Sequence, residues 1–341
     1  MGSGDHVGSG DHVGSGDHVG SGDHVGSGDH VGSGDHVGSG DHVGSPLPLG
    51  YIMHGFLNIN KPAGLTSHDV VARVRRLAGR GVKVGHAGTL DPAATGVLPV
   101  AVGGATRLIE HLAAARKGYR GRVRLGVATA TDDAEGEVLA TRPVPPLDDA
   151  AIEAAVAPLR GPIMQVPPMY SALHHEGKRL YELARAGQTV ALEPRPVMIH
   201  RLDWAREGDD LLIEVECGKG TYIRCLARDI GAALGCGAHL AALERTFVGP
   251  FALAGAVALD ALLADPALLP AALLPPETAV ADWPCARLDE AQARRVANGM
   301  PVELPGLAGE RARAHGPDGA LLALLRRDGA AWRPEKVFNA G

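Results

Sequence analysis

The sequence predicts an α+β fold, and three stretches carry that expectation. Tyr119, Gly121, Val123, Leu125 and Val127 alternate with Arg120, Arg122 and Arg124, the two-residue period of a strand with one apolar and one charged face. Leu211–Cys217 reads as another strand, which passes through Gly218-Lys219-Gly220 into a helix from about Thr221 with Ile223, Leu226, Ile230 and Leu234 on one stripe. Residues 66–79 read as a helix, with Thr66 and Ser67 as cap candidates and Val70, Val71, Val74 and Leu77 as its apolar side.

The remaining elements follow in order. Residues 1–45 are seven repeats of Gly-Ser-Gly-Asp-His-Val after Met1, and one valine per period buries too little surface to offset chain entropy, so disorder is expected. The repeat also places a histidine beside an aspartate in every period, a weak metal-binding composition. It is read as an inert extension, arising from an upstream start or an engineered addition. Residues 46–52 form a linker, and Met53 opens the body. Arg73, Arg75, Arg76 and Arg80 lie on the outer faces of the first helix, where solvation explains them as well as RNA contact does. Residues 105–115 are expected to be a second helix, with Leu108, Ile109 and Leu112 inward. After Phe251 the chain becomes Ala/Leu/Pro-rich through Pro275-Pro276. A small domain of residues 281–341 follows, with a helix over Asp289–Asn298 stopped at Gly299 and a strand at Leu321–Leu325. It is short for an independent core, so it should pack on the main domain.

Charge is misleading unless the repeat is set apart. The chain of 341 residues has 33 basic and 39 acidic side chains; outside the repeat the 33 basic ones face 32 acidic ones, a near-neutral body. Such a body binds RNA where its cations cluster. Cys217, Cys225, Cys236 and Cys285 form no Cys-x-x-Cys pair, and there is no signal peptide or apolar run of about 18 residues. Reduced thiols in a cytoplasmic protein that makes no membrane contact are expected.

The most informative stretch is Gly85-His86-Ala87-Gly88-Thr89-Leu90-Asp91-Pro92-Ala93-Ala94-Thr95-Gly96-Val97-Leu98. Pro92 biases Asp91 toward an extended backbone. The apolar run Val97–Val102 behind it promises a buried strand bracing an acidic loop. Arg224 is the other local oddity, because a guanidinium in the first turn of a helix opposes the helix dipole. A residue set against a local preference hints at function.

The run from His86 to Leu98 resembles the catalytic-aspartate motif of the TruB family of tRNA pseudouridine-55 synthases, with Ala87 where a threonine is common. Further motifs in the same order extend the resemblance from about Gly55 to Phe251: Asn60-Lys61-Pro62-x-Gly64-x-Thr66-Ser67, Lys117-x-Tyr119, Thr129–Gly136 (with Ala130 departing from the pattern), Pro167-x-Met169-Tyr170-Ser171-Ala172-Leu173 with Gly177-x-x-Leu180-Tyr181, Gly218–Arg224, and Leu243-x-Arg245-Thr246-x-Val248-Gly249-Pro250-Phe251. The resemblance implies the pseudouridine synthase fold: a mixed, mostly antiparallel sheet with packed helices and a central cleft over residues 53–280, an RNA-gripping insertion at about 163–196, and a small C-terminal PUA-like RNA-binding domain.

It also implies the chemistry. Uridine in the T-arm of tRNA loses its N1 bond to ribose, turns in the site and rejoins through C5, with no metal or other cofactor. The absence of a P-loop, zinc spacing or dinucleotide fingerprint agrees with that. Asp91 is the expected catalytic carboxylate, as a nucleophile at ribose or base or as a base at the ribose 2′ position. Arg224 pairs with it and keeps it ionised. Tyr119 stacks on the uracil and is a candidate to relay the C5 proton, although an ordinary phenol is a poor base at neutral pH. The target nucleotide must be flipped out, at a cost of a few kcal/mol, and His86 is a candidate to fill the gap. Lys61, Lys178, Arg179 and Arg245 are candidate phosphate contacts, and Tyr170, Tyr181 and Tyr222 candidate RNA contacts. Three other readings compete: a dyskerin-like guide-RNA-dependent synthase, disfavoured because the body lacks long Lys-rich extensions, a non-catalytic tRNA-folding factor, and a metal-binding or structural protein centred on the repeat. A monomer with no obligate protein partner is the default.

Overall fold

The computed structural model describes residues 54–171, 174–175, 178–180, 188 and 190–338. The expectations for residues 1–53, and for Tyr181, fall outside them.

The larger sheet is built in chain order from β1 (Gly55–Lys61), β2 (Val84–His86), β3 (Thr95–Val102), β4 (Lys117–Leu125), β5 (Gly161–Gln165), β6 (Arg195–Glu207), β7 (Asp210–Cys217) and β8 (Ala238–Val248). Its spatial order is β1-β3-β8-β4-β7-β6-β5, with β2 on β3 and a short strand, Val257–Ala258, outside β1. Pairing is antiparallel except at two places: Val257–Ala258 on β1, and the central seam where β3 and β8 run parallel through Thr95↔Glu244 and Gly96↔Arg245. The sheet is therefore mixed and mostly antiparallel, as the resemblance implied.

Helices cover the sheet, among them a short one at Leu259–Ala264 that packs on β1 and β3. Helix α1 (Ser67–Ala78) is held by a capping box in which Thr66 and Asp69 bond each other's backbone N–H. It buries Val70, Val71 and Val74 against β1 and β3. Helix α2 (Ile109–Ala114) is shorter than expected, because Gly103–Leu108 closes as a 3-10 turn first. Helix α3 (Asp149–Val156) and helix α4 (Ile223–Ala233) cover the other half, where Ile223, Leu226 and Ile230 pack on Val123, Leu211, Ile213 and Val215. Strand β4 ends at Leu125 rather than Val127, because Gly126 turns the chain at φ +82° into a separate two-stranded ribbon. Its outward arginines are neutralised: Arg120 by Glu214, Arg122 and Arg124 by Asp210.

The C-terminal residues curl into a second sheet of five strands, in which β9 (Cys285–Arg287), β10 (Arg311–His315), β11 (Leu321–Asp328) and β12 (Ala331–Val337) lie side by side and Val302–Glu303 closes the far edge. Helix α5 (Glu290–Ala297) starts at an Asp289 cap and stops at Gly299. Trp332 and Val296 fill the core of this unit. It packs on the main sheet, as its small size required. Leu324 joins Phe56, Leu108 and Val280 in one buried cluster, Lys336 pairs with Glu110, and the Arg107 guanidinium lies 4.9 Å from the Phe338 ring. Among the described residues no helix is long and apolar enough to cross a membrane. All four cysteines are free thiols, and burial pushes Cys217 up to about 11 and Cys225 up to about 12, which makes both poor nucleophiles.

Candidate active site

The parallel seam fixes the site. Tyr119 on β4 stands opposite Arg245 on β8, and Arg245 stands opposite Gly96 at the head of β3. Gly96 has φ +99°, and a Cβ there would lie 2.3 Å from the Arg245 carbonyl oxygen, so the strands approach only because the residue is glycine. The loop entering β3 carries Asp91. Tyr119 packs against both of the two large core clusters of the main sheet, so the seam is also where they meet.

The Asp91 loop is held from three sides. Ser67 at the start of α1 accepts a hydrogen bond from Leu90 N (2.9 Å) and donates one to Leu90 O (3.2 Å). Lys61 donates to Pro92 O at 3.0 Å, and also to Pro62 O and Leu65 O. Arg245 donates to Gly88 O at 3.1 Å and Thr89 O at 3.3 Å. Ala87, which departs from the family pattern, is fully buried and its N–H bonds Pro99 O at 2.9 Å. An apolar side chain suits that position.

Across the cleft, Arg224 puts its Nε 3.1 Å from the Asp91 carboxylate and its Nη1 3.4 Å from Asp133. Two carbonyls take further donors: Thr131 O at 3.1 Å and Tyr170 O at 2.9 Å. The guanidinium is buried, while the Asp91 side chain keeps 42% of its surface open. That asymmetry suits a carboxylate that meets a substrate and an arginine that orients it. The unfavourable position of Arg224 at a helix N-terminus is offset by the two carboxylates. Gln165 serves the helix entrance instead, exchanging 2.8 and 3.1 Å hydrogen bonds with the backbone of Tyr222.

Burial raises Asp91 above the ordinary carboxylate range, Arg224 pulls it back, Asp133 raises it and Lys61 lowers it. Burial likewise pushes the Tyr119 hydroxyl up, with Arg245 opposing. His86 is half-buried with its ring edge-on to His68 at 5.3 Å, and burial lowers its pKa. The group is neutral at pH 7 and suited to packing rather than to holding a phosphate.

The family model described as TruB family pseudouridylate synthase (N terminal domain) matches residues 75–223. Those described as tRNA pseudouridylate synthase B C-terminal domain and tRNA Pseudouridine synthase II, C terminal, match residues 224–281 and 283–339. A tRNA pseudouridine synthase B of Thermobifida fusca (strain YX) is 48% identical over 294 residues, covering 83% of this chain and 98% of that protein. The chain belongs to the TruB family of tRNA pseudouridine synthases. The enzyme of the same name from Burkholderia mallei (strain NCTC 10247) is 46% identical over 298 residues, covering 85% of this chain and 98% of its own. Among solved structures, a chain of a Cbf5-Nop10-Gar1 complex superposes with a TM-score of 0.65 at 29% identity, over 85% of this chain and 86% of that one. A chain of an H/ACA RNP bound to a substrate RNA containing 2′-deoxyuridine gives 0.64 at 28%, over 84% and 85%.

In this TruB-family enzyme the sequence-derived residues divide cleanly. Asp91 and Arg224 form an ion pair, and Tyr119 lies on the neighbouring strand of the seam. Tyr170 and Tyr222 both border Arg224, the first through its carbonyl oxygen and the second as the N-cap of α4. Lys178 and Arg179 form one arm of a short hairpin with His174–His175, and their side chains lie outside the described residues. Lys61 and Arg245 correct the expectation: neither is a surface phosphate contact, since Lys61 is 0% and Arg245 1% exposed and both spend their donors on backbone carbonyls. Motif resemblance alone could not tell an outward cation from one turned inward. Asp133 was overlooked. The Thr129–Gly136 motif held it, but a second carboxylate on Arg224 shows itself only when β4, α4 and that loop come together.

Proposed function

We propose that this tRNA pseudouridine synthase acts on the uridine at position 55 of the T-loop, by flipping the nucleotide into the cleft, and that Asp91 is its essential carboxylate. The observation that carries the reading is the half-open Asp91 carboxylate held at 3.1 Å by a buried arginine next to Tyr119. In this scheme the N1–C1′ bond breaks, the uracil turns while stacked on Tyr119, the C5–C1′ bond forms, C5 gives its proton up to solvent and N1 takes one in its place. Asp91 serves as nucleophile or as 2′ base. His86 takes the place of the flipped base, and Tyr170, Tyr222 and the insertion with Lys178, Arg179 and Tyr181 grip the RNA loop.

The chain works alone, as a monomer in the cytoplasm, without guide RNA or metal. The 46–48% identity to proteins named tRNA pseudouridine synthase B, against 28–29% to chains of guide-RNA particles, favours the stand-alone reading. The test is tritium release from unmodified tRNA carrying 5-tritiated uridine, with purified protein and nothing else added. Stoichiometric release from a single site is expected. Retained tRNA binding with no release would overturn the reading in favour of a guide-dependent or RNA-folding role. Removing residues 1–52 is expected to leave this activity unchanged, measured as kcat and KM; a fall in either would assign the repeat a part in turnover.

A further inference from the structure

We propose that Arg245 is a positioning residue for the reaction, a buried guanidinium that ties the Asp91 loop to the Tyr119 hydroxyl and so fixes the two sides of the site to each other. The inference rests on the reading of Asp91 and Tyr119 given above.

Arg245 is 1% exposed, the largest buried side chain of the main sheet, yet among the described residues it pairs with no carboxylate. Its Nε donates to Val97 O at 2.7 Å, Nη1 to Thr89 O at 3.3 Å and Nη2 to Gly88 O at 3.1 Å. Tyr119 stands opposite Arg245 in the register of the adjacent strand, and the guanidinium opposes the rise that burial imposes on the Tyr119 hydroxyl. One rigid, planar group with five donors thus bonds β3 and the loop two residues before Asp91, from the strand that pairs with β4. A Cβ on Gly88 would lie 3.6 Å from Nη1, so the loop rests directly on the fork. Lys117 Cε lies 3.7 Å from the same point, its Nζ bonded to Ala113 O and Ala115 O, and among the described residues it too pairs with no carboxylate.

Burying a cation without a counter-charge is costly, and an apolar side chain of similar size would serve stability at least as well. What an apolar side chain cannot do is bond two carbonyls of the Asp91 loop while sitting opposite Tyr119. A displacement of about 1 Å at a reacting group costs a rate factor of about 100. Losing the fork is expected to cost that much while leaving the RNA contacts in place.

The experiment compares Arg245→Met and Arg245→Lys with the wild-type enzyme. Arg245→Met is expected to fold, to lower kcat about 100-fold and to leave KM for tRNA within about threefold. Arg245→Lys, which keeps a cation but not the fork, is expected to fall between the two. A second readout does not depend on turnover. Of the charged and titratable groups that act on the Tyr119 hydroxyl, Arg245 favours its ionised form while Cys217 and Asp91 oppose it. Tyrosinate absorbance, assigned by difference against Tyr119→Phe, should therefore appear at higher pH in Arg245→Met. The proposal is overturned if Arg245→Met retains kcat within about threefold of wild type, if its activity falls only in proportion to its folded fraction, or if the Tyr119 titration does not move. An inactive wild type would overturn the functional reading instead, and the tyrosinate titration would still test Arg245.

Discussion

Replacing Asp91 with Asn is expected to abolish tritium release, a loss of at least about 1,000-fold, while the Kd for tRNA stays within about threefold. Asn fills the same space and can still take a hydrogen bond from Arg224, but it carries no charge and neither attacks ribose nor accepts a proton. The same substitution is expected to raise Tm at pH 7, and the sign follows from burial. The folded state holds the Asp91 carboxyl above its ordinary value of 3.8, so between that value and the folded one the native state binds more protons than the unfolded state. Stability then falls as pH rises through that window and stays lower above it. An amide removes that loss. A functional carboxylate that costs stability is the usual exchange at an active site. Turnover in the wild type should fall as pH drops through the same folded value, and Asp133→Asn should move that acid limb lower, because Asp133 raises Asp91. Activity of Asp91→Asn above a tenth of wild type would remove Asp91 from the essential role.

How much of this was legible in the sequence depends on the range of the interaction. Helix α1, the β4 alternation and the β7-to-α4 junction are local patterns, and each was found within a few residues of its observed bounds. The Asp91 loop was legible as a motif, and its partner Arg224 from its awkward place in the helix. The seam was not. The parallel pairing of β3 with β8 joins residues about 150 positions apart and leaves no periodic trace in either segment. The inward turn of Lys61 and Arg245 follows from that same seam, because a cation beside Gly96 faces the Asp91 loop only once β8 lies against β3. Asp133 depends on a three-way meeting of the same kind.

Arg224→Ala is expected to lower kcat by about 100-fold or more with little change in KM for tRNA. Without the guanidinium, Asp91 and Asp133 face each other in a half-buried site with one cation fewer. Like charges so placed favour sharing a proton over ionising together. The acid limb of kcat should therefore move to higher pH, so part of the lost rate returns as pH is raised. A purely structural defect would not produce that recovery. Arg224→Ala combined with Asp133→Asn removes the second carboxylate and should bring the limb back toward lower pH without restoring kcat, since nothing then orients Asp91. Arg224→Lys keeps a charge but not the fork that spans Asp91, Asp133, Thr131 O and Tyr170 O, and should recover the limb better than the rate. An unchanged kcat in folded Arg224→Ala would take Arg224 out of the site. A lower kcat with the acid limb unmoved would reduce it to a packing residue that braces Tyr170 and the Thr131 loop, and would leave Lys61 as the cation that tunes Asp91.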